Sequence, residues 1–324
     1  MDLYHKYIAE NSNRKGDKMK TGKIYRSRGS IKQWWEDVGV TYAMLLPNFL
    51  LFLTFVIYPI VWTVRFMLYD YNGITQAEFT GLENFIRAMG DKDWWNAVLN
   101  TFKIAGLKLI IEMPLALILA VVLNNRMLKG KGFFRGAYFL PTVTSMATMS
   151  LAFSFMFSPY NGIINMMLKD WGLISESISF LEKPTSALVT VTIISVWSVF
   201  GQNVLLILSG LQNVPEEVNE SAAIDGANRL QIFFKITIPL IMPMFKIILM
   251  LALIGSLEIF TPVLLITNGG PNGATDVMTT NIYGYYFTDG ASQYGYGAAL
   301  SFISSVIIGC VTAIYLYISK KDDK

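Results

Sequence analysis

An all-α membrane protein of six transmembrane helices is the fold class this sequence predicts, and three observations carry it. Only 15% of the 324 residues are charged, well below the roughly 25% of soluble domains. Another 53% are hydrophobic, and six of the runs they form are long enough to cross a ~30 Å hydrocarbon core at about 1.5 Å per helical residue. Lysine and arginine crowd one side of the resulting map, with 18 on the side that holds both termini against 5 on the other. Basic flanks stay cytoplasmic, so both termini are expected in the cytoplasm. That requires an even number of crossings.

The elements follow in order. Residues 1–40 read as a cytosolic N-terminal arm and interfacial segment, with nine basic residues from Lys6 to Lys32. Polar and weakly patterned to residue 33, the arm is expected to be flexible and to set the topology. No cleavable leader is expected, because the first apolar run is too long for a signal core. Residues 41–324 form one transmembrane domain, with spans near residues 43–64, 97–123, 137–157, 187–211, 241–265 and 296–318. Trp34 and Trp35 precede the first span, and Trp94 and Trp95 the second, where paired tryptophans sit at the headgroup level. The single cysteine, Cys310, excludes an internal disulfide and reads as a packed thiol. The single histidine, His5, leaves no zinc-type ligand set, so no metal site is expected.

Between the fourth and fifth runs lies ESAAIDGANRLQIFFKITIPL, residues 220–240, on the expected cytoplasmic side. A short turn would connect two spans, yet this segment is patterned as two short helices. Asn213 is placed to cap the first, with Pro215 near its start and Glu216 and Glu217 in the first turn, where acids favour the helix dipole. Gly226 breaks it, and Asp225 is placed to cap the next. A rigid elbow at the membrane surface suits transmission of force from a soluble partner.

At these residues the chain resembles a known family. Glu220-Ser221-Ala222, Gly226 and Ile236-Thr237-Ile238-Pro239 are similar to the EAA signature of binding-protein-dependent ATP-binding-cassette importers. Ser221 stands for the signature's first alanine and Ile238 for its leucine, and neither removes the small surface or the proline. Glu220, Ala222, Asp225, Gly226 and Ala227 match the local form of sugar permeases. RGAYFLP (residues 135–141), SGLQNVPEEVNESAAIDGA (209–227) and TNGGP (267–271) are similar to maltose-type permease subunits. The resemblance covers roughly residues 40–318.

The resemblance implies a six-helix importer permease fold whose elbow is a coupling helix docked in a groove of an ATPase subunit. Glu220 would face a basic residue there, Ala222, Ala223 and Gly226 would allow close packing, and Asp225 belongs to the same coupling set. Implied partners are a second homologous permease, two ATPase subunits, an extracytoplasmic solute-binding protein and an oligosaccharide. A bacterial cytoplasmic membrane and its lipid are implied as well, and no nucleic acid. No GxxxxGK[ST] phosphate loop occurs in the chain. ATP and magnesium are therefore expected on the ATPase partner, with no cofactor here.

Polar groups at bilayer depth are costly and face a cavity or another helix. Ser195, Ser198, Gln202 and Ser209 share one face of the fourth span; they either hydrogen-bond a sugar, with Trp197 packing on its ring, or serve as contacts between helices. Matching this span to the maltose-type family places Ser195, Ser198, Val199 and Gln202 at substrate-lining positions, and the fifth span likewise places Ser256 and Glu258 there. Thr142 and Ser145 on the third span are further candidates. Glu258 either contacts substrate, pairs with Lys103 or Lys108, or is protonated. Lys108 and Glu112, four apart on one helix, are expected to neutralise each other.

No HExxH, GxSxG or intramembrane aspartate pair marks a membrane enzyme, so the chain is expected to be a transport component. The rival reading is a secondary transporter or channel that uses Glu258 or Glu112 and needs no ATPase. A sugar-permease pattern favours an oligosaccharide, while Lys103 and Lys108 leave acidic uronate oligomers open. The charge asymmetry makes one prediction directly. Cysteines placed at Ser12 and Gly273, in a background lacking Cys310, should react with an impermeant reagent from opposite sides of sealed membranes. Labelling from the same side would overturn the six-span map.

Overall fold

A computed structural model describes residues 31–125, 128–287 and 293–321, with the backbone alone for residues 31–38. The N-terminal arm to residue 30, including His5, lies outside the described residues, as do Arg126 and the last three residues. By contacts the chain divides into two compact units, Met1–Val61 and Trp62–Lys324. The division expected after residue 40 falls inside a continuous helix, α1 (Ile31–Phe52).

The first unit is helical throughout its described part. A π-helical turn, Leu53–Ile57, follows α1 and leads into α2 (Tyr58–Phe66). The cause is in the sequence. Pro59 has no N–H to donate, and its ring crowds the carbonyl four residues back. Widening the preceding turn relieves that crowding, and the Tyr58 N–H bonds Leu53 O instead. The same solution recurs before Pro239, where the Ile238 N–H bonds Phe233 O.

The second unit opens with a two-stranded hairpin, β1 (Tyr69–Asp70) and β2 (Glu78–Phe79), then α3 (Glu83–Gly90). The long α4 (Lys92–Asn124) is capped by Asp91, whose carboxylate accepts from the Asp93 and Trp94 N–H groups at 3.0 Å. Then come α5 (Lys131–Val143), α6 (Met146–Met156), α7 (Ile163–Asp170) and α8 (Pro184–Gln212). They are followed by α9 (Glu216–Ile224), α10 (Arg229–Ile232), α11 (Ile238–Leu257) and α12 (Thr261–Ile266). Last are α13 (Met278–Phe287) and α14 (Tyr294–Lys321). Among the described residues, five spans are long and apolar enough to cross a membrane: Gly39–Phe66, Lys92–Asn124, Pro184–Gln212, Arg229–Ile266 and Tyr294–Lys321. The third expected span is instead the pair α5 and α6, bent by 95°. Counted as one crossing, it completes six.

Close packing holds α4, α8 and α11 together. Ala116 and Ala120 on α4 are fully buried and meet Val204, Ile207 and Leu208 of α8 and Ile248 of α11. Small residues at i and i+4 let two helices approach where lipid gives no hydrophobic drive between them. Gly201 of α8 serves the same purpose: a Cβ there would collide with Tyr138 O of α5.

A polar cluster lies in the same region. Lys108 Nζ is 3.7 Å from Glu112 Oε2 on α4 and donates to Ser256 Oγ of α11 at 3.1 Å. Asn203 Nδ2 of α8 donates to Glu112 Oε1 at 2.5 Å. All four side chains are buried, Glu112 completely. The expected neutralisation of Lys108 by Glu112 is thus present, and two further spans share in it.

Two expectations need correction. Trp94 is fully buried, packed with Met278, Tyr296 and Leu300, so only its neighbour Trp95 keeps exposure and suits a headgroup position. Cys310 is exposed on α14; a residue in an apolar span can face outward, and hydropathy alone does not say which side packs.

The buried pair makes a stability prediction. Breaking such a pair costs on the order of 3–5 kcal/mol, while replacing both partners by apolar groups is often neutral. Glu112→Leu should therefore lower the unfolding midpoint of the purified protein sharply, and Lys108→Met with Glu112→Leu should restore most of the loss. A double variant no more stable than the single one would show that the charges do not act as a pair.

Candidate functional site

The elbow is built from two short helices and a glycine hinge. α9 begins after Pro215, with Glu216 and Glu217 in its first turn. It ends at Asp225 and Gly226, and Gly226 takes φ +83°, a left-handed conformation that costs other residues roughly 1–2 kcal/mol. The Ala227 N–H returns to Ala222 O at 3.0 Å, closing the helix end. Asn228 caps α10: its Oδ1 accepts from the Gln231 N–H, and Gln231 Oε1 accepts from the Asn228 N–H, both at 2.9 Å. Two capping expectations are corrected here. Asn213 closes α8 rather than opening α9, and Asp225 ends α9 rather than starting α10. A capping box was legible in the order Asn228-Arg229-Leu230-Gln231.

Of the coupling candidates, Glu220, Ala223, Asp225 and Gly226 are exposed, and Ala222 alone is buried. A Cβ on Gly226 would meet nothing within 4 Å, so what limits substitution there within this chain is backbone strain. Ile224 is 85% exposed and Leu230 69%, which leaves an apolar strip beside the acids.

The candidates at membrane depth fall into two groups. Ser195, Ser198 and Ser256 are buried, and each hydroxyl donates to the carbonyl four residues back in its own helix, at 2.7, 2.8 and 2.6 Å. Ser256 additionally accepts from Lys108. Gln202, Ser145 and Glu258 are exposed on this chain, and Val199 and Thr142 are half-buried. The one face proposed for the fourth span therefore divides along its length, with Ser195 and Ser198 enclosed and Gln202 and Ser209 open. Thr142 packs over Gly201, its Oγ1 without a hydrogen-bond partner among the described residues. Trp197 is edge-on to Phe153 at 5.1 Å. Glu258 ends α11 at the break before α12, and neither Lys103, which donates to Asn100, nor Lys108 pairs with it.

At the far end of the fifth span from the elbow is a polar basin of about 870 Å³, which sequence reasoning missed. Asp93, Asn96, Asn268, Asn272, Asp276 and Asn281 line much of it. Its floor is tied down. Asn100 Nδ2 donates to Gly273 O and Asp276 O at 2.9 and 3.2 Å. Buried Thr275 bonds Thr267 and Gly270 O at 2.7 and 2.6 Å. Asn268 and Asn272 both take φ +49°, as short amide side chains tolerate. The NGGPNG run signalled a turn, but its pairing with Asp93 and Asn96, distant in sequence, was not readable.

Two carboxylates at this end titrate differently. Burial pushes Asp276 up, and its bonds from Thr280 and Asn281 offset this only in part. Burial also acts on Asp91, but bonds from Tyr296, Trp94 N–H, Tyr285 and Asp93 N–H outweigh it and hold the carboxyl below its ordinary value. Its neighbour Tyr285 is pushed up to about 12, first by burial and then by the Asp91 charge. Arg87 lies over the Tyr296 ring at 3.8 Å, which completes this tie between α3, α4, α13 and α14.

Residues 26–322 match the family described as binding-protein-dependent transport system inner membrane component. The trehalose/maltose transport system permease protein MalF of Thermococcus litoralis is 30% identical over 88% of this chain and 95% of its own length. The lactose transport system permease protein LacF of Rhizobium radiobacter is 31% identical over 91% and 98%. A solved bacterial ABC transporter that imports the acidic polysaccharide alginate contains a similar chain, with a TM-score of 0.77 at 25% identity, covering 90% of this chain and 100% of that one.

Proposed function

This chain belongs to the family of binding-protein-dependent transport system inner membrane components, and on that premise we propose that it is a permease subunit forming half of the pathway of an ATP-driven oligosaccharide importer. Relatives named as permeases for trehalose/maltose and for lactose support the carbohydrate class. The observation that carries the coupling role is the elbow. Glu220, Ala223, Asp225 and Gly226 present an exposed, small and acidic surface between the fourth and fifth spans, beside the apolar strip of Ile224 and Leu230.

In this reading two ATPase subunits bind ATP and magnesium, and closure of their pair pushes on the elbows of this chain and of a second homologous permease. An extracytoplasmic solute-binding protein delivers the sugar. The complex sits in the bacterial cytoplasmic membrane with both termini of this chain cytoplasmic. The candidate pathway keeps Thr142, Ser145, Ser195, Ser198, Val199, Gln202, Ser256 and Glu258. Within it the open side chains of Gln202 and Glu258 are favoured for direct contact, because the three buried serines already bond their own helices. The secondary-transporter alternative is weaker at Glu112, whose carboxylate is enclosed with Lys108 and Asn203.

Two experiments test the proposal. Gly226→Val forces a β-branched residue into a left-handed conformation, and Glu220→Ala removes one exposed charge. Such a charge contributes ~0–1 kcal/mol when its partner is solvated, and several-fold more in a desolvated socket. Gly226→Val should therefore impair ATPase retention in pull-downs, or substrate-stimulated hydrolysis, more than Glu220→Ala does, while both variants still insert. Normal binding and normal stimulated turnover in Gly226→Val would leave the elbow as a connector only. For the pathway, Gln202→Leu should reduce sugar uptake with the complex still assembled, and unchanged uptake across a concentration series would remove Gln202 from it.

A further inference from the structure

The basin at the far end of the fifth span has the size and chemistry of a ligand site. Its volume of about 870 Å³ lies within the range of small-molecule pockets, roughly 300–1,000 Å³. The groups around it are mainly hydrogen-bond acceptors or amides. Asn281 Nδ2 is spent on Asp276 Oδ2 at 2.9 Å, and Asn281 Oδ1 is buried with no partner among the described residues. Asp93 and Asn96 stand exposed one turn apart on α4, and Asn268 and Asn272 are exposed on the pinned loop. Tyr283 adds an aromatic ring, backed by Phe260 and Phe287 at centroid distances of 5.3 and 4.8 Å.

Such a lining asks for a ligand rich in O–H donors that also carries C–H faces for an aromatic ring. It also disfavours anions. Among the described residues no lysine or arginine lines it, whereas two carboxylates do. Two cations touch lining residues from behind, and both are engaged: Lys103 donates to Asn100 Oδ1 at 3.3 Å, and Arg87, 5.9 Å from the Tyr285 ring centroid, donates to Gln293 Oε1 and lies over the Tyr296 ring. Because hydrogen bonds fix the loop before any ligand arrives, binding need not order it.

We infer that this basin is a receiving subsite for a neutral oligosaccharide at the extracytoplasmic mouth, and that it turns away uronate oligomers. The inference rests on the importer reading and narrows its substrate class. It separates this chain from the solved alginate importer, whose cargo is acidic.

The test uses the full complex in lipid nanodiscs and saturation-transfer NMR, with maltotriose, lactose and arabinotriose as neutral probes and the trimannuronate of alginate as the acidic one. At least one neutral probe should bind saturably, with trimannuronate weaker by about five-fold or more, a gap of roughly 1 kcal/mol or above. Asn96→Trp, which fills the basin, should weaken the neutral probe by a similar factor in complexes that still assemble by size exclusion. Asp93→Asn should narrow the gap between neutral and acidic probes. The inference is overturned if no neutral probe binds, if trimannuronate binds as well as the neutral sugars, or if Asn96→Trp leaves neutral binding unchanged. Failure here with normal ATPase retention and sugar uptake overturns the subsite alone. Loss of ATPase coupling in the unmutated chain overturns the importer reading instead.

Discussion

Lys108 and Glu112 set the terms for the rest of the bundle. A charge at bilayer depth has no water to solvate it, and desolvation of either ion costs several kcal/mol. One ion pair at 3.7 Å does not satisfy a carboxylate and an ammonium by itself. Two other spans add to it: Asn203 donates to Glu112 Oε1 and Ser256 accepts from Lys108, while Glu112 Oε2 keeps only the ion pair among the described residues. Those bonds require α8 and α11 to lie against α4 at the level of Lys108 and Glu112. The alanines at 116 and 120 make that approach sterically possible. Polar satisfaction and close packing thus demand the same arrangement, and the agreement between them is what specifies one structure among many apolar bundles.

The spans were legible because a ~30 Å core demands about twenty apolar residues, a constraint local in sequence. The elbow was legible for a related reason: charged and small residues between two such runs have no role in merely crossing a membrane. Its caps were not legible because several residues there suit a cap: the reciprocal bond between Asn228 and Gln231 excludes Asp225 as the cap of α10, while α9 starts after Pro215 with no side-chain cap and Asn213 closes α8. The 95° break near Thr144 was hidden by hydropathy that runs through it. Periodicity placed Ser195, Ser198 and Gln202 on one face, but it could not say that part of this face is covered by neighbouring helices. The basin was illegible for the plainest reason. Asp93 and Asp276 are far apart in the chain, and nothing local links them.

The fifth span joins the elbow to the basin. From Arg229 the chain runs through α10, the π-helical turn and α11 without interruption to Leu257. Pro239, the proline that resembles the importer signature's, does not break this run, because the wider turn before it removes the clash that a proline would cause. The interruption comes at Glu258, where the helix stops before α12 begins, and the basin-lining loop follows directly after α12. Pushing on the elbow of a continuous helix displaces its far end, whereas flexing is concentrated where the hydrogen-bond ladder is broken. The break in this span therefore falls at Glu258, between the elbow and the basin-lining loop. That position gives the carboxylate a reason to sit at a helix break rather than within a helix. Its own N–H still closes α11 on Ile254 O at 3.0 Å, and the next ladder starts only at Thr261, so the carboxylate stands where neither helix fixes the backbone on both sides.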